Sequence, residues 1–135
     1  MLTARTDRLE IRSSDDVVRV RQQARTMAIA AGLSLVDQTK IITAASELAR
    51  NTLDYGGGGE ACMEVVEEAG RRGLRIVFED HGPGIADIEQ AMRDGFTSGS
   101  GLGLGLGGAK RLSNEFKIES SLGSGTKVTI ARWKA

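Results

Sequence analysis

Two stretches in the first half of the chain place apolar residues at helical spacing. The earlier one begins after Ser13, which offers an N-cap oxygen, and Gly32 follows it as a typical helix end. Its apolar positions are Val17, Val20, Ala24, Met27, Ala28 and Ala31. The later one opens with Ser34 and Asp37, which resemble a capping box. Its predicted buried face consists of Ile41, Ile42, Ala45, Leu48, Ala49 and Thr52. These patterns predict two amphipathic helices.

The remaining chain shows strand-like segments that are separated by turn residues. A short first strand is predicted at residues 8–11, ahead of the first helix. Two hairpins follow the helices: strands 61–67 and 74–79 around a turn at 70–73, then strands 116–120 and 126–133. Short helices are predicted at 87–93 and 108–114. This order predicts the α+β class, with one mixed, mostly antiparallel sheet and helices on one face.

Size and composition are those of an ordinary globular protein. The length of 135 residues favours a single domain over residues 1–135. Hydrophobic residues make up 40% of the chain and charged residues 27%. The 18 basic and 18 acidic side chains cancel, which argues against a nucleic-acid or membrane surface driven by bulk charge. No apolar run approaches the length needed to span a membrane.

Cysteine usage bears on the cellular compartment. Cys62 is the only cysteine, so no internal disulfide is available, and its place in a predicted strand favours packing over a catalytic role. The first residues lack the continuous apolar segment of a signal peptide. Together these observations predict a cytoplasmic protein.

Eighteen glycines stand out, and most of them lie between residues 56 and 108. Residues 103–108 formally fit the GxGxxG dinucleotide fingerprint, but no strand precedes them and no acidic residue follows at the right spacing. A Walker A loop needs Lys directly after the last Gly, where Ala109 stands instead. The catalytic motifs of eukaryotic-type protein kinases are also missing. The tract at 99–108 is therefore either a ligand-free glycine segment or a phosphate site before a helix.

Glu47 and Asn51 are four positions apart on the second predicted helix. Such residues share one helix face, with Cβ atoms roughly 5–6 Å apart. An Asn carbonyl oxygen can hold Mg²⁺ beside a Glu that acts as a base. Asp80, in the loop DHGPGI, could recognise a base edge, and glycine N–H groups could hold phosphates. This combination suggests ATP chemistry, whereas a solvated Glu47, a helix-ending Asn51 and a turn-capping Asp80 are the structural alternatives.

Three motifs in this order resemble the N, G1 and G2 boxes of the GHKL ATP-binding family, which includes gyrase B, Hsp90, histidine kinases and MutL. They are SELARN at 46–51, the Asp-x-Gly-Pro-Gly segment at 80–84, and the glycine tract at 99–108. Residues 123–126 resemble the later glycine-and-threonine box of the family. Within the family, TAASELARN, EDHGPGI, DGF and GAKRLSNEF are similar to RsbT-like serine/threonine kinases of bacterial stressosomes.

The resemblance implies the Bergerat fold, a two-layer sandwich, and assigns roles to residues at matching positions. Asn51 is expected to coordinate Mg²⁺, Glu47 to be the general base, and Asp80 to accept a hydrogen bond from the adenine amino group. Gly82 and Gly84 are expected to let the backbone approach the nucleotide. The expected lid and adenine-pocket residues are Gly101, Gly103, Gly105 and Thr126.

The implied function is phosphorylation, with ATP and Mg²⁺, of STAS-domain proteins of the RsbS-like and RsbR-like kinds. The released kinase would then bind and activate a PP2C-type, RsbU-like phosphatase, which is partner switching. Two other functions stay open: an anti-sigma factor kinase that sequesters a sigma factor directly, and a regulator that transfers no phosphate. The resemblance implies neither a nucleic-acid nor a membrane partner.

Two further expectations concern charged residues near the nucleotide. His81 is interpreted as a solvated loop residue because no separate helix carries a phosphoacceptor histidine. No Arg or Lys lies between Thr97 and Gly108. A basic contact to the γ-phosphate is therefore expected from Arg93, Lys110 or Arg111.

Overall fold

A computed structural model describes residues 2–93 and 105–135. The strands are β1 (Leu2–Ile11), β2 (Gly59–Glu68), β3 (Arg71–Asp80), β4 (Glu115–Ser121) and β5 (Gly125–Trp133). The helices are α1 (Ser14–Ala30), α2 (Leu35–Asp54), α3 (Ile88–Ala91) and α4 (Gly105–Arg111). The strands form one sheet in the order β1-β2-β3-β5-β4.

The predicted α+β class is confirmed, with the helices packed on one face of the sheet. All four strand pairings in the described parts of the chain are antiparallel, so the sheet is not mixed as predicted. Both hairpins are present, formed by β2 with β3 and by β4 with β5. The chain then places β5 rather than β4 beside β3, so that β3 lies at the centre of the sheet.

Several boundaries differ from the sequence-based prediction. The β1 strand begins at Leu2 and pairs with β2 as far as Ile11, with a register shift between Thr3 and Arg5, although it is an edge strand with mostly exposed side chains. The β2–β3 turn lies at Ala69 and Gly70, both with positive φ (53° and 77°), so the residues from Arg71 to Gly73 continue the strand. The α4 helix begins at Gly105, three residues earlier than predicted.

Both long helices start and end as their sequences indicate. The Ser13 hydroxyl caps α1 by accepting from the Asp16 N–H, and the Ser34 hydroxyl caps α2 by accepting from the Asp37 N–H at 3.1 Å. At the end of α1, Gly32 has φ +77° and its N–H donates to the Ile29 carbonyl. The Leu33 N–H reaches back to the carbonyl of Ala28, which completes a Schellman motif.

The core lies between the helices and one face of the sheet. All six residues predicted for the inner face of α2 are buried. They meet alternate residues of the central strands, including Leu74, Ile76 and Phe78 of β3. A smaller buried cluster of Val66, Ala131 and Trp133 lies on the opposite face of the sheet.

No helix within residues 2–93 and 105–135 has both the length and the apolar character needed to cross a bilayer.

Candidate nucleotide-binding site

A cavity of about 330 Å³ lies between α2, the ends of β3 and β5, and the loop that follows β3. Its walls are mostly apolar, formed among others by Leu48, Phe78, Ile85, Leu106 and Val128. Polar lining side chains include Asn51, Asp80 and Thr126. An apolar cleft with a few convergent polar groups is the usual form of a small-molecule site, and flat apolar walls suit a heteroaromatic ring.

Asp80 ends β3 at the floor of the cavity and is only 8% exposed. One carboxylate oxygen, Oδ1, accepts from the backbone N–H of Gly82 at 2.9 Å. On its other side Asp80 packs against Gly56, where an added Cβ would lie 2.3 Å from the carboxyl carbon. The carboxylate is therefore held between a loop N–H and a glycine, so that its position is fixed before any ligand arrives.

Gly82 and Gly84 belong to the loop that carries Asp80. A Cβ at Gly82 would lie 2.7 Å from the Cα of Gly56, and one at Gly84 would lie 2.0 Å from the carbonyl oxygen of Ser121. Gly84 also lines the cavity. Both positions therefore require glycine because the loop packs closely against neighbouring backbone. The predicted approach of a nucleotide would be an additional reason for glycine here.

The α2 helix carries both residues of the Glu47–Asn51 pair. Asn51 is half-buried and lines the cavity. Glu47, one turn earlier, is only 5% exposed, so it is not the solvated surface carboxylate of the structural alternative. Among the described residues that line the cavity, Asn51 is present and Glu47 is not.

The glycine tract is only partly within the described residues. Gly105 is buried at the start of α4, and the next residue, Leu106, lines the cavity. Gly101 and Gly103 lie outside the described ranges. Lys110 and Arg111 are exposed in the last turn of α4, at the opposite end from Gly105.

Two comparisons with known sequences decide the family. The profile of the "Histidine kinase-, DNA gyrase B-, and HSP90-like ATPase" family matches residues 36–135. The chain is also 48% identical over 118 residues to the serine/threonine-protein kinase RsbT of Bacillus subtilis, covering 87% of this chain and 89% of that protein. The chain belongs to this ATPase family. The predicted likeness to an RsbT-like serine/threonine kinase of the GHKL family is confirmed.

A second relative agrees with the family, and two solved structures share the fold. The chain is 33% identical over 107 residues to the anti-sigma F factor of Clostridium acetobutylicum, covering 74% of this chain and 71% of that protein. A crystal structure of the RsbU and RsbW domains of a Mycobacterium tuberculosis protein matches with a TM-score of 0.66 and 20% identity, over 98% of this chain and 34% of that chain. The mycobacterial sensor histidine kinase MprB matches with a TM-score of 0.55 and 15% identity, over 96% of this chain and 97% of that one. At these identities the two structures show a shared fold alone.

The oxygen, nitrogen and sulfur ligands available in the structure decide whether a divalent cation fits this member of the ATPase family. No group of three or more His, Cys, Asp or Glu side chains converges within the parts of the chain that the structure describes. A cation here would therefore depend on few protein oxygens, and Asn51, which carries a side-chain carbonyl oxygen, lines the cavity. Mg²⁺ fits this arrangement, because it usually keeps several waters and binds substrate phosphates alongside one or two protein ligands.

Sequence reasoning missed Ser120. It lies on β4 directly opposite Thr126 of β5, and Thr126 in turn lies opposite Asp80 of β3. Its hydroxyl oxygen accepts from the Ile85 N–H at 2.8 Å and lies 2.8 Å from the Thr126 hydroxyl. The only signal in the sequence is its place in the predicted hairpin, which becomes informative once the register is known.

Proposed function

We propose that the chain transfers the γ-phosphoryl group of ATP to a Ser or Thr hydroxyl of a STAS-domain protein of the RsbS-like or RsbR-like kind. The released chain then binds and activates a PP2C-type, RsbU-like phosphatase. The observation that carries this proposal is the presence of Asp80 and Asn51 in one apolar cavity of a chain that is 48% identical to a serine/threonine kinase.

Different residues of the cavity bind different parts of the nucleotide. Asp80 accepts a hydrogen bond from the adenine amino group, while apolar side chains such as Phe78 and Val128 enclose the ring. The side-chain carbonyl oxygen of Asn51 would hold Mg²⁺ beside the phosphates. When bound, Mg²⁺ neutralises phosphate charge, which matters because phosphoryl transfer depends more on positioning and charge stabilisation than on covalent chemistry.

Glu47 is the proposed general base. It takes the proton of the acceptor hydroxyl while the hydroxyl oxygen bonds to the γ-phosphorus, the β–γ bridging bond breaks, and ADP leaves. The phosphorylated partner gains a charge of about −1.5 to −2, which favours its release from a packed interface through repulsion and desolvation.

The first test uses labelled ATP, Mg²⁺ and a purified STAS-domain partner, with label on the partner as the measured product. Glu47→Gln is expected to lower transfer by about 10²–10⁴-fold, because a general base contributes that much, while ATP binding persists. Asn51→Ala is expected to weaken Mg²⁺-dependent ATP binding and transfer together. Asp54→Asn, an exposed carboxylate on the same helix, is the matched control and should match the wild type.

Unlabelled partner in the wild-type reaction, with partner binding intact, would defeat the kinase proposal. Full transfer by Asn51→Ala would remove the metal assignment alone. Binding of ATP without any transfer would instead favour the regulator that transfers no phosphate.

The similarity to an anti-sigma F factor supports a second candidate, a kinase that sequesters a sigma factor directly. The two candidates differ in the bound partner. Co-purification with a sigma subunit favours the second, whereas recovery of a STAS protein or a phosphatase favours the first.

A further inference from the structure

Three polar side chains lie in register at one end of the sheet: Asp80 on β3, Thr126 on β5 and Ser120 on β4. Asp80 and Thr126 line the cavity, whereas Ser120 is not among its described lining residues and lies opposite Thr126 on the neighbouring strand. Any influence of Ser120 on a bound nucleotide therefore has to pass through a neighbour.

The Ser120 hydroxyl has three close polar neighbours and only one hydrogen. Its oxygen accepts from the Ile85 N–H at 2.8 Å, lies 3.0 Å from the Gly125 carbonyl oxygen, and lies 2.8 Å from the Thr126 hydroxyl oxygen. A carbonyl oxygen can only accept, so the short contact to Gly125 requires the hydrogen of Ser120. If Ser120 instead donated to Thr126, two oxygens would face each other at 3.0 Å with no hydrogen between them.

All three contacts can be hydrogen bonds only if the contact between Ser120 and Thr126 has Thr126 as its donor. Thr126 donates its hydrogen to Ser120, so the hydroxyl oxygen of this cavity-lining residue is left only as an acceptor. The neighbouring Asp80 carboxylate, when ionised, is also only an acceptor. The sheet end of the cavity thus carries two adjacent acceptors.

We infer that Ser120 is a positioning residue for base selectivity, which rests on the proposed nucleotide site. By holding the Thr126 hydrogen away from the ligand, it makes this end of the cavity accept an exocyclic amino group and reject a 6-oxo group. A 6-oxo purine would place its own acceptor oxygen against two acceptors, and mismatched buried polar groups of this kind lower affinity strongly.

The test compares binding of ATP and inosine triphosphate, each with Mg²⁺, by calorimetry. The wild type is expected to favour ATP. Ser120→Ala frees the Thr126 hydroxyl to rotate and donate, so the preference for ATP should fall about tenfold, mainly because inosine triphosphate binds better. Ser121→Ala, on the same strand and exposed, is the matched control and should keep the wild-type ratio.

A double-mutant cycle isolates the path through Thr126. Thr126→Val removes the hydroxyl, so adding Ser120→Ala to it should not change the ratio further. Thr126→Val alone should also reduce the preference for ATP, which keeps the inference open to test if Ser120→Ala does not fold.

A purely structural role of Ser120 would weaken both nucleotides by the same factor, and that unchanged ratio would overturn the inference. A fall in the ratio that persists in the Thr126→Val background would overturn it as well. Absence of ATP binding by the wild type would instead remove the proposed function, so the two failures are distinguishable.

Discussion

At the scale of single residues, two glycines with nearly the same backbone differ in their surroundings. Gly84, in the Asp80 loop, has φ +78°, and Gly123, in the β4–β5 turn, has φ +80°. An added Cβ at Gly84 would lie 2.0 Å from a carbonyl oxygen, whereas at Gly123 it would meet nothing within 4 Å. The pair separates the cost of a left-handed backbone from the cost of a steric clash.

We expect Gly84→Ala to lower the free energy of unfolding by about 3 kcal/mol or more, because backbone strain and overpacking add. Gly123→Ala should lower it by only about 1 kcal/mol, the cost of strain alone. Urea denaturation measures both. Equal losses would show that the Asp80 loop shifts freely away from Ser121, contrary to the packing described.

At the scale of elements, one buried ion pair joins three parts of the fold. Arg132 of β5 binds the Asp37 carboxylate in the first turn of α2, with N–O distances of 2.8 and 2.9 Å. It also donates to the carbonyl oxygen of Leu112, just after α4. The two side chains are only 13% and 11% exposed, so each depends on the other for its charge to be compensated.

We expect Arg132→Met to destabilise the protein by about 3 kcal/mol, because Asp37 then lacks its buried counter-charge. The control is Arg72→Met at the pair with Glu67, whose side chains are 44% and 48% exposed and 3.8 Å apart. That change should not shift the urea midpoint measurably, since exposed pairs contribute little. A shift of the same size in both variants would contradict the role given to burial.

The elements that sequence reasoning predicted well are those whose inner face repeats with a clear period. All six predicted inner positions of α2 are buried because the helix packs on one side only. The β1 strand was predicted too short because its outer residues, such as Thr3 and Thr6, are exposed at the sheet edge and show no alternation. The early start of α4 was missed because buried glycines, poor helix formers, make up its first turn.

At the scale of the whole molecule, the helix layer and the sheet enclose a cavity in which residues distant in sequence meet. The sequence motifs predicted one site for Asn51, Asp80 and Thr126, and all three residues line the same cavity. Their roles stay predictions. The contact of Ser120 with Thr126 could not be predicted from the residues around Ser120 in the sequence, because it depends on the register of three strands. Long-range pairing is what a sequence pattern specifies least.

Since a ligand that binds only the folded chain stabilises it, ATP with Mg²⁺ at 100-fold its dissociation constant should raise the free energy of unfolding by about 2.7 kcal/mol. Asp80→Asn at the same nucleotide concentration should show a much smaller gain, because it places an amide donor toward the adenine amino group. Thermal denaturation with and without nucleotide measures both. A wild-type melting temperature that does not change at saturating ATP would contradict the proposed nucleotide site.

The lone tryptophan provides a built-in means of separating folding from ligand occupancy. Trp133 is the only one in the chain, and it lies on the sheet face opposite the cavity, with the Arg71 guanidinium 4.8 Å from its ring centroid. Tyr55, the only tyrosine, lines the cavity instead. Fluorescence excited at the red edge of the absorption band, where only indole absorbs, should therefore report unfolding. The same signal should change little when nucleotide is added to the folded protein.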